Sequence, residues 1–349
     1  MAKSASIKAH NVPSLEYPSN NRKDKTRRKY LIFFIPGNPG LIAYYKPFFT
    51  ALRQLLDERE SKPDCQGAFH IYGQNLLGFH DGDHEPSFGA GTPDGQVTEP
   101  FLLEDQICHL SRSIQKLNTS SGPFDEVVIM GHSVGSYMSL EIFHRHHLAL
   151  KNQDDDPIRN VKLKAGILLF PTVTHIAKSG SGQKLDLIRT TPFLDTWAHQ
   201  VAKGFVDLCP SWFLSTVVRR VMRFPEHAAQ ATLGFLASKD GIWQAMHMGK
   251  NEMETITEEK WSEDLWEIQH VEDERDGDDL DAKFFFYFAQ KDHWVADECR
   301  DEFIEKRKRQ EKGKTSIFID EEKTPHAFCI HHSEKVAERV NLWIDQISS

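Results

Sequence analysis

The sequence predicts an α/β domain built on a mostly parallel sheet, with helices on both faces and a helical insertion above it. Three observations carry this reading. Short continuous apolar runs, stopped by Gly, Pro or polar turns, recur along the chain. Amphipathic helical patterns separate them. The alternation lapses once, over residues 172–281, into helical segments rich in Trp, Phe and Met followed by an acidic stretch from 252 to 281.

Taken in order, residues 1–29 are polar and end in a basic run, the pattern of a flexible, solvated leader. Residues 30–35 (Tyr-Leu-Ile-Phe-Phe-Ile) form an apolar run stopped by Pro36-Gly37, which predicts a strand buried on both faces. A helix follows over 45–58, a strand over 68–72, and then a long Gly-, Asp- and Pro-rich loop over 73–100. The next helix spans 102–117. Residues 126–130 make the third buried strand, turning at Gly131 into a helix over 137–150, and 163–170 make the fourth. After the insertion the pattern resumes with a strand at 283–289, a helix at 296–311, a strand at 315–319 and a closing helix at 333–347. One domain from 30 to 349, carrying 172–281 as a helical insertion or lid, accounts for the length of 349 residues.

Composition narrows the function classes. A hydrophobic share of 39% with 23 Phe suffices for a sizeable core. The formal charge of -9, with no interleaving of basic and aromatic residues, argues against nucleic acid as a partner. The five cysteines are scattered and lack a CxxC pair, which suits a reducing compartment and no zinc ribbon. No apolar run reaches the roughly 20 residues of a spanning helix, so any membrane contact is expected to be peripheral.

The chemistry concentrates at Gly131-His132-Ser133-Val134-Gly135, a GxSxG that follows an apolar strand and opens a helix. That is the strand-turn-helix context in which the motif presents a nucleophilic serine in the α/β-hydrolase fold. A serine hydroxyl needs a base to take its proton and an acid to orient the base, and in this fold they follow in the order serine, acid, histidine. Asp292 follows the strand at 283–289 and is preferred to Asp297, which falls in the next helix. His326 lies in the loop after the last strand and is preferred to His331 and His332, which approach the start of the final helix. For the oxyanion, the backbone N–H groups of Val134 and of Asn38, in the turn Pro36-Gly37-Asn38-Pro39-Gly40, are the candidate donors. No metal or organic cofactor is implied.

Three other patterns invite weighing. His144-Arg145-His146-His147 has a metal-like spacing without a carboxylate or cysteine to complete it, and reads as a partly exposed helix face. Lys306-Arg307-Lys308-Arg309 reads as a solvated helix face. Residues 212–224 set bulky apolar side chains beside arginines, which suits either a helix lying in a membrane interface or a lid helix packed on the core.

Taken together, these residues resemble the lipid-droplet-associated hydrolases, serine hydrolases of the α/β-hydrolase fold. The resemblance covers most of the chain. It rests on Ile35-Pro36-Gly37-Asn38-Pro39-Gly40 with Tyr44-Tyr45 and Phe48, on Leu103-Glu104-Asp105-Gln106-Ile107, on the GxSxG, on Asp292-His293-Trp294-Val295 and on Pro325-His326-Ala327-Phe328. It implies Ser133, Asp292 and His326 as nucleophile, acid and base. It further implies a lipid ester substrate, sterol ester or acylglycerol, and a location at lipid droplets and the cytosolic face of the endoplasmic reticulum. Two other readings fit the same residues: a hydrolase-fold protein that binds or organises lipid without turnover, and an acyltransferase using the same nucleophile.

Overall fold

The computed structural model describes residues 12–91, 96–119, 122–152, 156–261, 263–266, 282–308 and 315–348. The sheet strands are β1 (Ser14–Tyr17), β2 (Arg28–Ile35), β3 (Gly67–Gln74), β6 (Glu126–His132), β7 (Leu163–Leu169), β8 (Lys283–Ala289) and β9 (Thr315–Asp320); β4 (Asn118–Thr119) and β5 (Gly122–Pro123) form a separate two-stranded hairpin. The helices are α1 (Lys46–Glu60), α2 (Leu103–Lys116), α3 (Val134–Lys151), α4 (Gly180–Thr190), α5 (Pro192–Leu208), α6 (Ser211–Thr216), α7 (Glu226–Ala237), α8 (Gly241–Thr255), α9 (Glu263–Trp266), α10 (Asp297–Lys308), α11 (Phe328–His331) and α12 (Ser333–Ser348).

The seven-stranded sheet has the order β1-β3-β2-β6-β7-β8-β9, and every pairing except β1 with β3 is parallel. The apolar runs read from the sequence become its centre because a strand covered on both faces needs no polar alternation. β8 shows both faces at once. Phe285 and Tyr287 pack on Trp343 of α12, whereas Phe284 meets Phe143 of α3, and Phe286 and Phe288 meet Phe303 of α10. Successive side chains of a strand point to opposite faces, so this one segment of aromatics fills both cores.

The polar leader expected over 1–29 is corrected by the structure from residue 12 onward, residues 1–11 lying outside the described part. β1 adds an antiparallel edge strand, with Ser14 opposite Gln74 and Tyr17 opposite Ile71. Tyr17 packs edge-on against Phe49 of α1. Behind it, the buried Glu60 carboxylate collects Ser19 Oγ, Arg53 and the Phe69 N–H, which binds the leader to the sheet.

The two basic patterns, read as a partly exposed and a solvated helix face, are corrected in part: His144 and Arg145 are half-buried and Lys306 and Lys308 exposed, but their neighbours turn inward. His146 and His147 are buried, and His146 Nε2–H donates to the Val161 carbonyl at 2.8 Å. Arg307 is buried too, its guanidinium 3.8 Å from the Trp266 ring centre and ion-paired with Glu259. Arg309 lies outside the described residues.

Between Leu169 and Lys283 the chain leaves the sheet, and α4 to α9 occupy this interval; residues 267–281 of the acidic stretch lie outside the described part. One anchor of this helical layer is ionic. His84, from the loop after β3, is buried between Asp83 (Nδ1 to Oδ1, 2.5 Å) and Asp240 (Nε2 to Oδ2, 3.0 Å), the residue before α8. Burial would lower the imidazole pKa, but the hydrogen bonds and charges of the two carboxylates reverse this and hold it above the ordinary value. A raised folded pKa means that the contribution is complete below the unfolded value of about 6.5 and is lost as pH rises through the folded one. His84→Gln is therefore expected to lower the unfolding temperature most under mildly acidic conditions, with the gap to wild type narrowing as the pH is raised. A gap that stays constant in thermal melts from pH 5.5 to 9 would dismiss the charged form.

Candidate active site

Ser133 stands between the end of β6 and the start of α3, with φ 56° and ψ -125°. A non-glycine residue with positive φ costs on the order of 1–3 kcal/mol, so the surrounding structure must impose it. It does so through the Ser133 N–H, which donates to the Leu169 carbonyl at 2.9 Å, and through the Ser133 carbonyl, which accepts from Ser136 N–H at 2.9 Å. The two glycines of the motif are required by close approach. A Cβ at Gly131 would lie 2.3 Å from the Gly135 carbonyl oxygen, and one at Gly135 would lie 2.3 Å from that of Ile35. The turn is thereby pressed against the neighbouring strand, with Ser133 at its tip.

The structure brings the three predicted side chains into one line. Ser133 Oγ is 2.9 Å from His326 Nε2, and His326 Nδ1 is 2.7 Å from Asp292 Oδ2. Both carboxylate oxygens are engaged, since Oδ1 accepts from the Trp294 N–H at 2.8 Å. Burial would raise the Asp292 pKa, but the His326 imidazole, the Trp294 N–H and His293 outweigh it and hold the carboxyl below its ordinary value. An ionised Asp292 fixes the proton of His326 on Nδ1, leaving Nε2 free to accept from the serine. The rivals lie elsewhere: Asp297 opens α10 and bonds Arg300, His331 is exposed, and His332 is half-buried at the foot of α12.

A second, entirely neutral chain of hydrogen bonds runs behind this line. The Gly37 N–H donates to Tyr45 Oη at 3.2 Å, Tyr45 Oη lies 2.7 Å from His132 Nδ1, and His132 Nε2 lies 2.9 Å from the His326 carbonyl. Burial first, then the His326 charge, pushes His132 down to about 3, so the ring is neutral. Nε2–H then donates to His326 and Nδ1 accepts from the Tyr45 hydroxyl. The second residue of the GxSxG, His132, thus links the loop after β2, the turn at Ser133 and the loop carrying His326. Nothing in the sequence distinguishes His132 for this part beyond its place in the motif.

The line opens into a cavity of about 410 Å³, within the usual range for ligand sites. Core residues Asn38, Tyr44, Ser133 and His326 form its floor, and Leu185, Phe224, Met246 and Glu252 from the helical layer form its roof. Asn38 lines the cavity beside Ser133; the Val134 side chain is fully buried, and what that residue offers is one of the first unpaired N–H groups of α3. The sequence places Glu252 only at the head of an acidic stretch, and a carboxylate among carboxylates carries no local signal of burial.

A family model described as lipid-droplet-associated hydrolase matches residues 28–329. The chain belongs to the lipid-droplet-associated hydrolase family. Hydrolysis is the class of activity that goes with it. Relatives of that name include one from Rattus norvegicus, 27% identical over 94% of this chain and 89% of its own length, and one from Homo sapiens, 25% identical over 90% and 84%. A Dictyostelium discoideum relative is 24% identical over 92% of this chain and 90% of its own. Among solved structures, a peroxisomal α/β-hydrolase from Saccharomyces cerevisiae matches with a TM-score of 0.58 at 11% identity, over 97% of this chain and 82% of that one. A juvenile hormone epoxide hydrolase from Bombyx mori matches at 0.56 and 11%, over 98% and 75%. These structures share the α/β-hydrolase fold with this family member.

Proposed function

We propose that this protein is a serine esterase that cleaves carboxylic esters of lipids, of the sterol ester or acylglycerol class, at a lipid-droplet surface. The observation that carries the reading is the Asp292–His326–Ser133 line opening directly into a largely apolar cavity. In this reading His326 Nε2 takes the Ser133 proton as Oγ attacks the ester carbonyl, then returns it to the leaving alcohol; water repeats the cycle on the acyl-enzyme. The negative charge that develops on the carbonyl oxygen is met by the N–H groups of Asn38 and Val134. A fluorophosphonate probe is expected to label the folded protein on Ser133. Folded protein that resists the probe with and without a lipid surface would overturn the reading.

The droplet surface is supported by the relatives' name and by the outer face of the helical layer. There Phe205 is 68% exposed, Leu208 85%, Trp212 70% and Val221 71%, with Arg220 and Arg223 exposed beside them. No single helix among the described residues is long and apolar enough to cross a membrane; α5 and the α6 segment, which continues as a π-helical turn over Val217–Val221, meet at a 99° bend. Such a face suits lying on a monolayer with cations at the headgroups. Each large apolar side chain contributes about 1.5–3 kcal/mol on full burial. Changing Leu208, Trp212 and Val221 together to Ser is therefore expected to lower the droplet-bound fraction at least about tenfold. Unchanged flotation with droplets would place the anchor elsewhere.

A further inference from the structure

The cavity holds one buried carboxyl that the Ser133–His326–Asp292 line does not use. Glu252, on α8, is 6% exposed and lines the cavity wall. Its hydrogen bond among the described residues comes from the Asn38 side chain, Nδ2 to Oε1 at 3.0 Å. The same Asn38 nitrogen lies 3.0 Å from the Ala245 carbonyl, about two turns earlier on α8. Both hydrogens of the Asn38 amide are thus spent on the helical layer, while its backbone N–H belongs to the turn beside Ser133. We propose that Glu252, acting through Asn38, is a positioning residue by which the helical insertion sets the oxyanion loop, and that it does so as an uncharged acid. This rests on Ser133 as nucleophile and on Asn38 as an oxyanion donor.

Two physical points support it. The first is geometric. An oxyanion donor is useful only when it is held where charge develops, and a misplacement of about 1 Å can cost about 10²-fold. From the core side the turn is held by the Gly37 N–H to Tyr45 bond, by the packing of Gly37 on Ser133 and, at its far end, by the Leu76 N–H to the Gly40 carbonyl at 2.9 Å. The Asn38 amide adds two bonds from above.

The second point is electrostatic. Burial raises the Glu252 carboxyl to about 8, with the Asn38 hydrogen bond only partly opposing it. Below that pH it is a neutral acid. Ionised, it would set a full negative charge in the same apolar cavity as the developing oxyanion, and like charges repel strongly at low dielectric. The titratable groups sharing that wall are Tyr44, Tyr45, His132, His293, His326 and Cys329. Burial pushes Tyr44, Tyr45 and Cys329 up and His132 down, so these four stay neutral across the range in which Glu252 titrates. On the flank of α8, Lys250, Glu254, Glu99 and Asp105 act on His247, and none of them contributes to the Glu252 shift.

The test compares the full chain with Glu252→Gln and Glu252→Leu on p-nitrophenyl butyrate, with kcat and KM followed from pH 6 to 10. Gln keeps a carbonyl oxygen for Asn38 and cannot ionise; Leu fills the space and accepts nothing. Wild-type kcat is expected to fall as pH rises through about 8. Glu252→Gln is expected to keep kcat at pH 7 within about threefold and to lose that alkaline fall. Glu252→Leu is expected to lose about 10- to 100-fold in kcat at every pH with KM within about threefold. An alkaline fall that persists in Glu252→Gln, or a Glu252→Leu enzyme with wild-type kcat, overturns the proposal. Turnover that survives Ser133→Ala in the same assay would instead remove the nucleophile reading beneath it, so the two failures are told apart.

Discussion

Replacing Ser133 by Ala is expected to lower ester turnover by on the order of 10⁴-fold or more while leaving the unfolding temperature close to wild type. The loss should be large because the hydroxyl is the only atom of the line that would form a bond to the substrate. The imidazole 2.9 Å away would have no proton to take. Stability should hold because, among the described residues, Ser133 Oγ bonds only His326, and the backbone bonds that impose its positive φ remain in the alanine variant. The experiment is a steady-state assay on a soluble ester and on a lipid emulsion, with a thermal melt beside it. Turnover within tenfold of wild type would remove Ser133 from the mechanism, and with it the serine-esterase reading.

Asp292→Asn is expected to cost about as much, on the order of 10³–10⁴-fold in kcat, for a reason that the local geometry makes specific. One oxygen of Asp292 accepts from the Trp294 N–H and the other from His326. An asparagine must keep its carbonyl oxygen toward the Trp294 N–H, because two donors cannot face each other, and so turns its NH₂ toward His326 Nδ1. The imidazole then carries its proton on Nε2, where it meets the Ser133 hydroxyl as a donor and cannot accept. Asp297→Asn is the control and should leave kcat unchanged, since that carboxylate bonds Arg300. If the two variants behaved alike, Asp292 would not be the orienting acid.

The parts of this molecule legible in the sequence are those whose cause is local or ordered along the chain. The continuous apolar runs at β2, β6 and β8 announce a doubly covered sheet, and GxSxG announces its turn, because each requires particular residues at consecutive positions. Asp292 and His326 could be preferred over Asp297, His331 and His332 because loops after strands in this fold hold the reacting groups. What escaped depends on partners far away in sequence. β1 is four residues long and owes its form to β3, more than fifty residues on. Arg307 reads as solvated from its lysine neighbours, yet Trp266 and Glu259 bury it. His84 and Glu252 acquire their character from Asp240 and Asn38, which no spacing rule connects to them.

The neutral chain from Gly37 through Tyr45 and His132 to the His326 carbonyl has a consequence for how the protein weathers acid. In this frame His132 stays uncharged down to about 3 and the Tyr45 hydroxyl carries no charge to lose there. The carboxylate-bound His84 keeps its proton in the same direction of pH change. The hydrogen bonds that place the His326 loop therefore keep their donors and acceptors unchanged on mild acidification.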